Sequence, residues 1–287
     1  MSFKIITDTS CDIPADLLQQ WGISCVSLTF HDAQSDTVYV PSDIFSYEFY
    51  RQMREGTVFK TAAANVEAFC DAFAPVLAEG QDILYIGFSS GLSTTVNSAR
   101  IAAQDLQESY PERKVIVIDT LCASGGEGFL VYLAMKKQLN NASLEETADY
   151  IEKLVPSICH WFTVDDLVYL KRGGRVSPAT ALVGNILGIK PILHVDDEGH
   201  LVKVSTIRGR KQSIAALADK YCELATGAEA GIYMITHGDC MDDAKRLEAI
   251  LKDRTGQDAT LIADVGPVIG SHSGPGTLAL FFVGKHR

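Results

Sequence analysis

The sequence has no apolar run approaching the roughly 18 residues that a membrane-spanning helix requires. Its first eight residues follow a strand pattern, without the basic segment and apolar core of a signal peptide. The seven cysteines are scattered and form no C-x-x-C pair, so neither a disulfide framework nor a cysteine metal site is indicated. We therefore expect a cytoplasmic protein with no bound metal and no stable membrane insertion.

Basic residues are also in short supply. The chain has 25 Lys and Arg against 36 Asp and Glu, a formal net charge of -11. Nucleic acids and anionic membrane surfaces attract basic proteins, so we expect neither as a partner. A hydrophobic content of 47% and a charged content of 21% are typical of a globular protein, and 287 residues suffice for one large or two ordinary domains.

Short apolar segments alternate with helical segments in the first half of the chain. The predicted strands are residues 4–8, 23–30, 82–87 and 115–119, and the predicted helices are residues 15–21, 42–54, 65–77, 96–106 and 126–139. This alternation predicts a parallel, doubly wound sheet. Since ligands bind beyond the carboxyl ends of such strands, we expect Asp8, Ser89 and Asp119 to share one edge.

The second half has a different pattern. Predicted strands cover residues 189–195, 201–206, 230–237, 260–265 and 278–283, and predicted helices cover residues 212–225 and 242–254. Asp197-Glu198-Gly199 predicts a hairpin turn between the first two strands. A hairpin combined with strand–helix units indicates a mixed sheet. We predict an α/β protein of two domains, residues 1–155 with a parallel doubly wound sheet and residues 156–287 with a mixed sheet.

The loop at residues 87–95 carries the main functional signal, with two glycines and five hydroxyl side chains between a strand and a helix. Free N–H groups at a helix start and adjacent hydroxyls favour an anion. The same loop spells G-x-S-x-G, the nucleophile elbow of some hydrolases. Ser89, Asp264 and His272 follow the chain order of such a triad, although Asp264 and His272 fall in the other predicted domain. Binding an anion and attacking an ester both remain open at this point.

Two other segments carry candidate residues. Residues 171–175 place three cations around two glycines, and Lys203, Arg208 and Arg210 form a second basic group. Positive groups in an acidic protein suit an anionic ligand or an acidic partner. Residues 266–276 contain four glycines and two prolines, which predict an irregular loop presenting His272.

Taken together, these segments resemble the DegV family of bacterial fatty-acid-binding proteins. The similarity rests on residues 8–14 (D-T-S-C-D-I-P), 89–95 (S-S-G-L-S-T-T), 162–177 (F-T-V-D-D-L-V-Y-L-K-R-G-G-R-V-S), 188–193 (G-I-K-P-I-L), 208–209 (R-G) and 269–276 (I-G-S-H-S-G-P-G). The resemblance implies a two-domain α/β protein that buries a long-chain fatty acid. It also implies that an ATP-dependent fatty acid kinase subunit converts the presented carboxylate to an acyl-phosphate.

The resemblance further implies which residues surround the carboxylate. These are Thr61, Ser93, Thr94, Arg175 and His272, with Arg208 near the head group or in contact with the partner. The chain itself is then expected to be non-catalytic, with no cofactor other than the bound fatty acid. A serine esterase or acyl hydrolase using the turn at residues 87–91, and a carrier of another small anion, are the alternatives.

Overall fold

The computed structural model describes residues 3–35, 37–176 and 188–287. The strands are β1 (Phe3–Asp8), β2 (Ser24–Val26), β3 (Thr29–Asp32), β4 (Val38–Tyr39), β5 (Phe59–Ala62), β6 (Asp82–Gly87), β7 (Val115–Asp119), β8 (Ile158–Thr163), β9 (Ile189–Val195), β10 (Leu201–Arg208), β11 (Tyr233–His237), β12 (Leu261–Asp264) and β13 (Leu278–Val283). The α-helices are α1 (Ala15–Gln20), α2 (Ser46–Arg54), α3 (Val66–Ala78), α4 (Thr95–Ser109), α5 (Gly125–Leu139), α6 (Leu144–Leu154), α7 (Val168–Arg172), α8 (Arg210–Leu224), α9 (Met241–Thr255) and α10 (Pro267–Ser273). In these ranges, no helix is both long and apolar enough to cross a bilayer. Ser177, the last residue of the 162–177 motif, lies outside the described residues.

The first sheet is parallel, as predicted, with strand order β2-β1-β6-β7. The single strand predicted at residues 23–30 is wrong, because it divides into β2 and β3. β2 pairs with β1 over three residues, after which the Leu28 N–H donates to Thr9 Oγ1 at 3.0 Å instead of continuing the ladder. β3 then pairs antiparallel with β4 and β5 in a small separate sheet. That sheet places Thr61 of β5 near the edge of the first sheet.

The second large sheet is mixed, as predicted, with strand order β10-β9-β8-β13-β11-β12. All neighbouring pairs are antiparallel except β11 and β12. The predicted hairpin turn connects β9 and β10, and its Gly199 has a φ of +80°, a conformation that favours glycine. The Gly199 backbone oxygen accepts a hydrogen bond from Ser89 at 3.0 Å, so the turn contacts the first half of the chain.

Helix α5 packs between the two sheets and contacts β1 and β6 on one side and β11 and β13 on the other. Its first turn is rich in glycine because the sheets approach closely there. A Cβ at Gly125 would lie 2.7 Å from the Phe281 ring, and one at Gly126 would lie 2.1 Å from His160 Nε2. Ile5, Phe129 and Phe281 consequently belong to one continuous core. The predicted domain boundary at residue 155 falls just before β8 and stays a prediction.

Residues 266–276 do not form the irregular loop that their composition predicted. Most of the segment is helix α10, which begins with Pro267, ends at Ser273 and is followed by Gly274, where φ is +82°. A proline suits the first position of a helix because its ring fixes a helical φ and no partner is needed for a missing N–H. Within the helix, Gly270 allows close packing, since a Cβ there would lie 2.6 Å from the Tyr50 hydroxyl. His272 is therefore presented by the last turn of a helix.

Candidate functional site

A cavity of about 460 Å³ lies where the carboxyl edge of the parallel sheet faces the mixed sheet. Its volume is within the range of small-molecule sites in proteins. Its walls are mostly apolar, and the side chains that form them include Leu28, Phe88, Phe162, Leu170, Val195, Leu201, Val268, Ile269, Ala279 and Phe281. The polar lining includes all five residues predicted to surround a carboxylate, which are Thr61, Ser93, Thr94, Arg175 and His272. The fold thus brings them from four separate segments into one cavity.

His272 and Thr61 form the most direct contact among these five polar residues. His272 Nε2 lies 2.8 Å from Thr61 Oγ1, within hydrogen-bond distance. Burial, and to a smaller extent the charge of nearby Arg175, lowers the pKa of His272 to about 4. The imidazole is therefore neutral near pH 7, and one of its ring nitrogens can accept a hydrogen bond while the other donates one. His272 Nδ1 is buried and has no hydrogen-bond partner in the described part of the chain.

Arg175 supplies a positive charge to the same end of the cavity. Its guanidinium donates to the backbone oxygens of Gly173 at 2.5 Å and of Leu92 at 3.3 Å. No carboxylate among the described residues forms an ion pair with it. Burial lowers the pKa of Arg175, yet arginine remains a cation in proteins. Since a half-buried cation without a counter-charge is costly, this position attracts an anion.

Ser93 and Thr94 lie at the start of the 15-residue helix α4. Thr94 is the residue immediately before the helix, and Ser93 Oγ lies 2.9 Å from Thr95 Oγ1 and accepts the Thr95 N–H at 3.3 Å. Free N–H groups at a helix start carry partial positive charge, which reinforces that of Arg175. Hydroxyls, N–H groups and a cation therefore converge on one small region.

The three strand-end loops do share one edge, as predicted. The Phe88 N–H donates to Asp8 Oδ2 at 3.2 Å, and the Ser90 N–H donates to Asp119 Oδ1 at 3.1 Å. These carboxyls thus hold the backbone of the loop that carries Ser93. Neither of them lines the cavity itself.

The Ser89–Asp264–His272 triad is not assembled. Ser89 is completely buried, and its hydroxyl donates to the Gly199 backbone oxygen at 3.0 Å and accepts the Gly91 N–H at 3.1 Å. Asp264 lies beside His237 at 3.4 Å, whereas His272 contacts Thr61. A nucleophilic serine needs a base within hydrogen-bond reach, which Ser89 lacks in the described structure.

Arg208 is the predicted residue that the cavity does not include. It is the last residue of β10, is exposed, and does not line the cavity. Its expected contact with a partner stays a prediction.

The sequence analysis missed a polar wall of the cavity. Ser124 Oγ donates to Asp12 Oδ2 at 2.5 Å and lies 2.9 Å from Thr236 Oγ1, and His160 Nε2 lies 3.4 Å from the Ala123 nitrogen. Ser124, Thr236 and His160 line the cavity. One signal was available, because Ser124 precedes two glycines between a strand and a helix, as in the loop at residues 87–95. Across the described residues, no group of three or more His, Cys, Asp or Glu side chains is arranged to hold a metal ion.

Comparison with known proteins shows the family to which the chain belongs. A family model described as "uncharacterised protein, DegV family" matches residues 2–285. The chain belongs to the DegV family. A DegV domain-containing protein of Clostridium perfringens is 36% identical over 286 residues, which cover 99% of this chain and 98% of the relative.

Solved DegV structures share the fold over the full length. A DegV lipid-binding protein from Thermotoga maritima superposes with a TM-score of 0.84 and 28% identity, covering 100% of both chains. A DegV-family protein from Thermus thermophilus, described by its fatty acid binding, superposes with a TM-score of 0.86 and 28% identity, covering 99% of this chain and 100% of the other. The α/β architecture found here is therefore that of the DegV family.

Proposed function

We propose that this DegV-family protein binds a long-chain fatty acid in the cavity, with the carboxylate at the polar end. The observation that carries the proposal is that a mostly apolar cavity also holds the Thr61–His272 contact beside the Arg175 cation, whose guanidinium donates to the backbone next to Ser93. The lipid and fatty acid binding described for the relatives from Thermotoga maritima and Thermus thermophilus supports it. A carrier of a small anion alone would have no need of so large an apolar wall.

The energetics favour such a ligand. Each buried methylene group contributes about 0.8 kcal/mol, although the loss of motional freedom on binding offsets a good part of the sum. A buried carboxylate is tolerated only where it is hydrogen-bonded and its charge is compensated. The Thr61 and Ser93 hydroxyls can donate to it, and the Arg175 cation can compensate its charge. Neutral His272 can donate from Nε2 to the Thr61 oxygen, which leaves the Thr61 hydroxyl proton for the carboxylate without adding a second charge to bury.

Extraction of the purified protein under denaturing conditions, followed by mass spectrometry, tests this proposal. We expect a long-chain fatty acid in the extract. Ser93→Ala should weaken fatty acid binding about tenfold, since one hydrogen bond to a charged group is lost. Ser98→Ala is the matched control, because Ser98 lies in the first turn of the helix that follows Ser93 and does not line the cavity. A protein that is purified empty and also fails to take up added fatty acid would refute the proposal.

The finer part of the proposal is that the bound carboxylate is presented to an ATP-dependent fatty acid kinase subunit and phosphorylated there. The buried, hydrogen-bonded Ser89 hydroxyl supports a binding role over hydrolysis. Exposed Arg208 is the proposed contact with the kinase subunit. Arg208→Ala should abolish acyl-phosphate formation with that subunit while leaving fatty acid binding unchanged. Arg246→Ala, an exposed arginine on α9, is the control; equal phosphorylation by both variants would exclude Arg208 from the contact.

A further inference from the structure

The turn between β9 and β10 is packed against the loop that carries Ser93. Ser89 Oγ donates to the Gly199 backbone oxygen at 3.0 Å. The fit is tight, since a Cβ at Gly199 would lie 2.2 Å from Ser89 Oγ and 3.2 Å from the Leu121 Cα. On the other side of the contact, a Cβ at Gly91 would lie 2.7 Å from the Glu198 backbone oxygen. Glycine is thus required at position 199 of the turn and at position 91 of the loop.

The same hairpin turn is held from a second direction by Arg287. This guanidinium is buried and donates through Nη1 to the backbone oxygens of Leu121 at 2.5 Å and Asp196 at 3.2 Å. It therefore joins the turn to the loop that follows β7. The residues on either side of the turn, Val195 and Leu201, pair with each other and line the cavity. The hairpin consequently contributes to the cavity wall as well as to the loop contact.

Ser89 connects the hairpin turn to Ser93 through hydrogen bonds. Its backbone oxygen accepts the N–H of Leu92 at 3.1 Å and the N–H of Ser93 at 3.0 Å, which closes the turn ahead of helix α4. Its hydroxyl also accepts the Gly91 N–H at 3.1 Å. A change at Gly199 that displaces Ser89 would therefore displace Ser93. Arg175, which donates to the Leu92 oxygen, is attached to the same turn.

We infer that Ser89 and Gly199 are positioning residues, through which the β9–β10 hairpin fixes Ser93 in place for the ligand carboxylate. The inference rests on the proposed function, and it gives the serine of the G-x-S-x-G sequence a role other than attack. A hydroxyl that misses the carboxylate by about 1 Å loses most of its contribution to binding.

The test combines Gly199→Ala, Ser89→Ala and the double variant. Two readouts apply to each: the affinity for a fluorescent long-chain fatty acid, and hydrogen exchange of the amides of residues 89–95 in the ligand-free protein. Gly256→Ala is the control for Gly199→Ala, because Gly256 also has a positive φ, +74°, but a Cβ there meets no atom within 4 Å. Ser213→Ala is the control for Ser89→Ala, since Ser213 is buried and its hydroxyl donates to the Arg210 backbone oxygen at 2.9 Å.

We expect Gly199→Ala to weaken binding about tenfold or more and to accelerate exchange in the loop, whereas Gly256→Ala does neither. Ser89→Ala should accelerate exchange in the loop more than Ser213→Ala does, and it provides a result even if Gly199→Ala does not fold. The double variant should bind better than Gly199→Ala alone, because removing Ser89 Oγ vacates the space that the new Cβ needs. Such a rescue would not follow from a general loss of stability.

Two results would overturn the inference. One is a Gly199→Ala variant that behaves as Gly256→Ala does in both readouts. The other is a double variant whose loss of affinity equals the product of the two single losses, which would show that the residues act independently. If the unmodified protein binds no fatty acid, the proposed function fails, while hydrogen exchange in the ligand-free protein still decides whether Gly199 and Ser89 fix the loop.

Discussion

Replacing Gly173 with alanine tests the polar end of the cavity without touching a residue that would contact the ligand through its side chain. A Cβ at Gly173 would lie 2.1 Å from His272 Nδ1 and 3.1 Å from two ring carbons. Gly173 has an ordinary φ of -73°, so the substitution adds no backbone strain. The imidazole must therefore move, and its 2.8 Å contact with Thr61 is lost.

Gly173→Ala should lower both the stability of the protein and its affinity for fatty acid, and the two losses can be measured separately. Overpacking a buried site typically lowers the free energy of unfolding by about 1–3 kcal/mol. Without the His272 contact the Thr61 hydroxyl is no longer held in place for the carboxylate, and the loss of one hydrogen bond to the ligand, about 1 kcal/mol, corresponds to roughly fivefold weaker fatty acid binding. Gly174→Ala is the matched control, because its φ of +70° imposes about 1 kcal/mol of backbone strain while no atom lies within 4 Å of the new Cβ. It should destabilise the protein and leave binding unchanged.

Urea denaturation measures the stability of both variants, and titration with a fluorescent fatty acid measures their affinity. Gly173→Ala in a Thr61→Val background should cause little further loss of affinity, since the contact between positions 61 and 272 is already absent. The reasoning would be refuted if Gly173→Ala bound fatty acid as tightly as the unmodified protein, or if Gly174→Ala weakened binding equally.

Two further predictions concern stability and ligand length. Burial raises the pKa of the Asp12 carboxyl from 3.8 to about 7, so between these values the folded protein holds a proton that the unfolded chain has released, and stability falls as pH rises through that window. The free energy of unfolding of Asp12→Asn, relative to that of the unmodified protein, should therefore rise by roughly 2–4 kcal/mol between about pH 5 and about pH 8, as measured by urea denaturation. A difference between the two proteins that does not change with pH would contradict the raised pKa of Asp12. Ala279→Leu adds three carbon atoms to the cavity wall and should shift the fatty acids extracted from the protein towards shorter chains, whereas an unchanged chain-length profile would place the tail elsewhere.

Local patterns were sufficient to predict most elements, and they failed where packing between distant segments decides the conformation. The hairpin at Asp197–Gly199 and the strand-end loops follow from turn residues and apolar runs, which act over a few positions. Residues 266–276 were predicted as a loop because glycine usually marks a turn. In the structure Gly270 instead allows α10 to pack against Tyr50, a residue 220 positions earlier that no local pattern identifies.

Local sequence patterns were likewise insufficient to predict the functional site. Thr61, Ser93, Arg175 and His272 lie on four segments, and only their resemblance to a family grouped them before the fold was known. Ser89 was interpreted as a possible nucleophile because its flanking glycines match a short motif. Its hydroxyl is occupied by the backbone oxygen of Gly199, 110 residues later in the chain. A backbone acceptor leaves no mark on the sequence, so the competing interpretation could not have been rejected without the structure.

The carboxyls around the cavity explain how an acidic protein can offer a site to an anion. Asp8 accepts the Phe88 N–H, Asp119 accepts the Ser90 N–H and Asp12 accepts the Gly266 N–H, so each holds one loop of the rim, and none of the three lines the cavity. Burial raises the pKa of Asp8, and it raises the pKa of Asp12 to about 7, so that Asp12 is partly protonated near neutral pH. Arg175 is left without a carboxylate partner among the described residues. The acids therefore build the rim without competing for its cation, and the fatty acid carboxylate is the anion that we expect to complete the site.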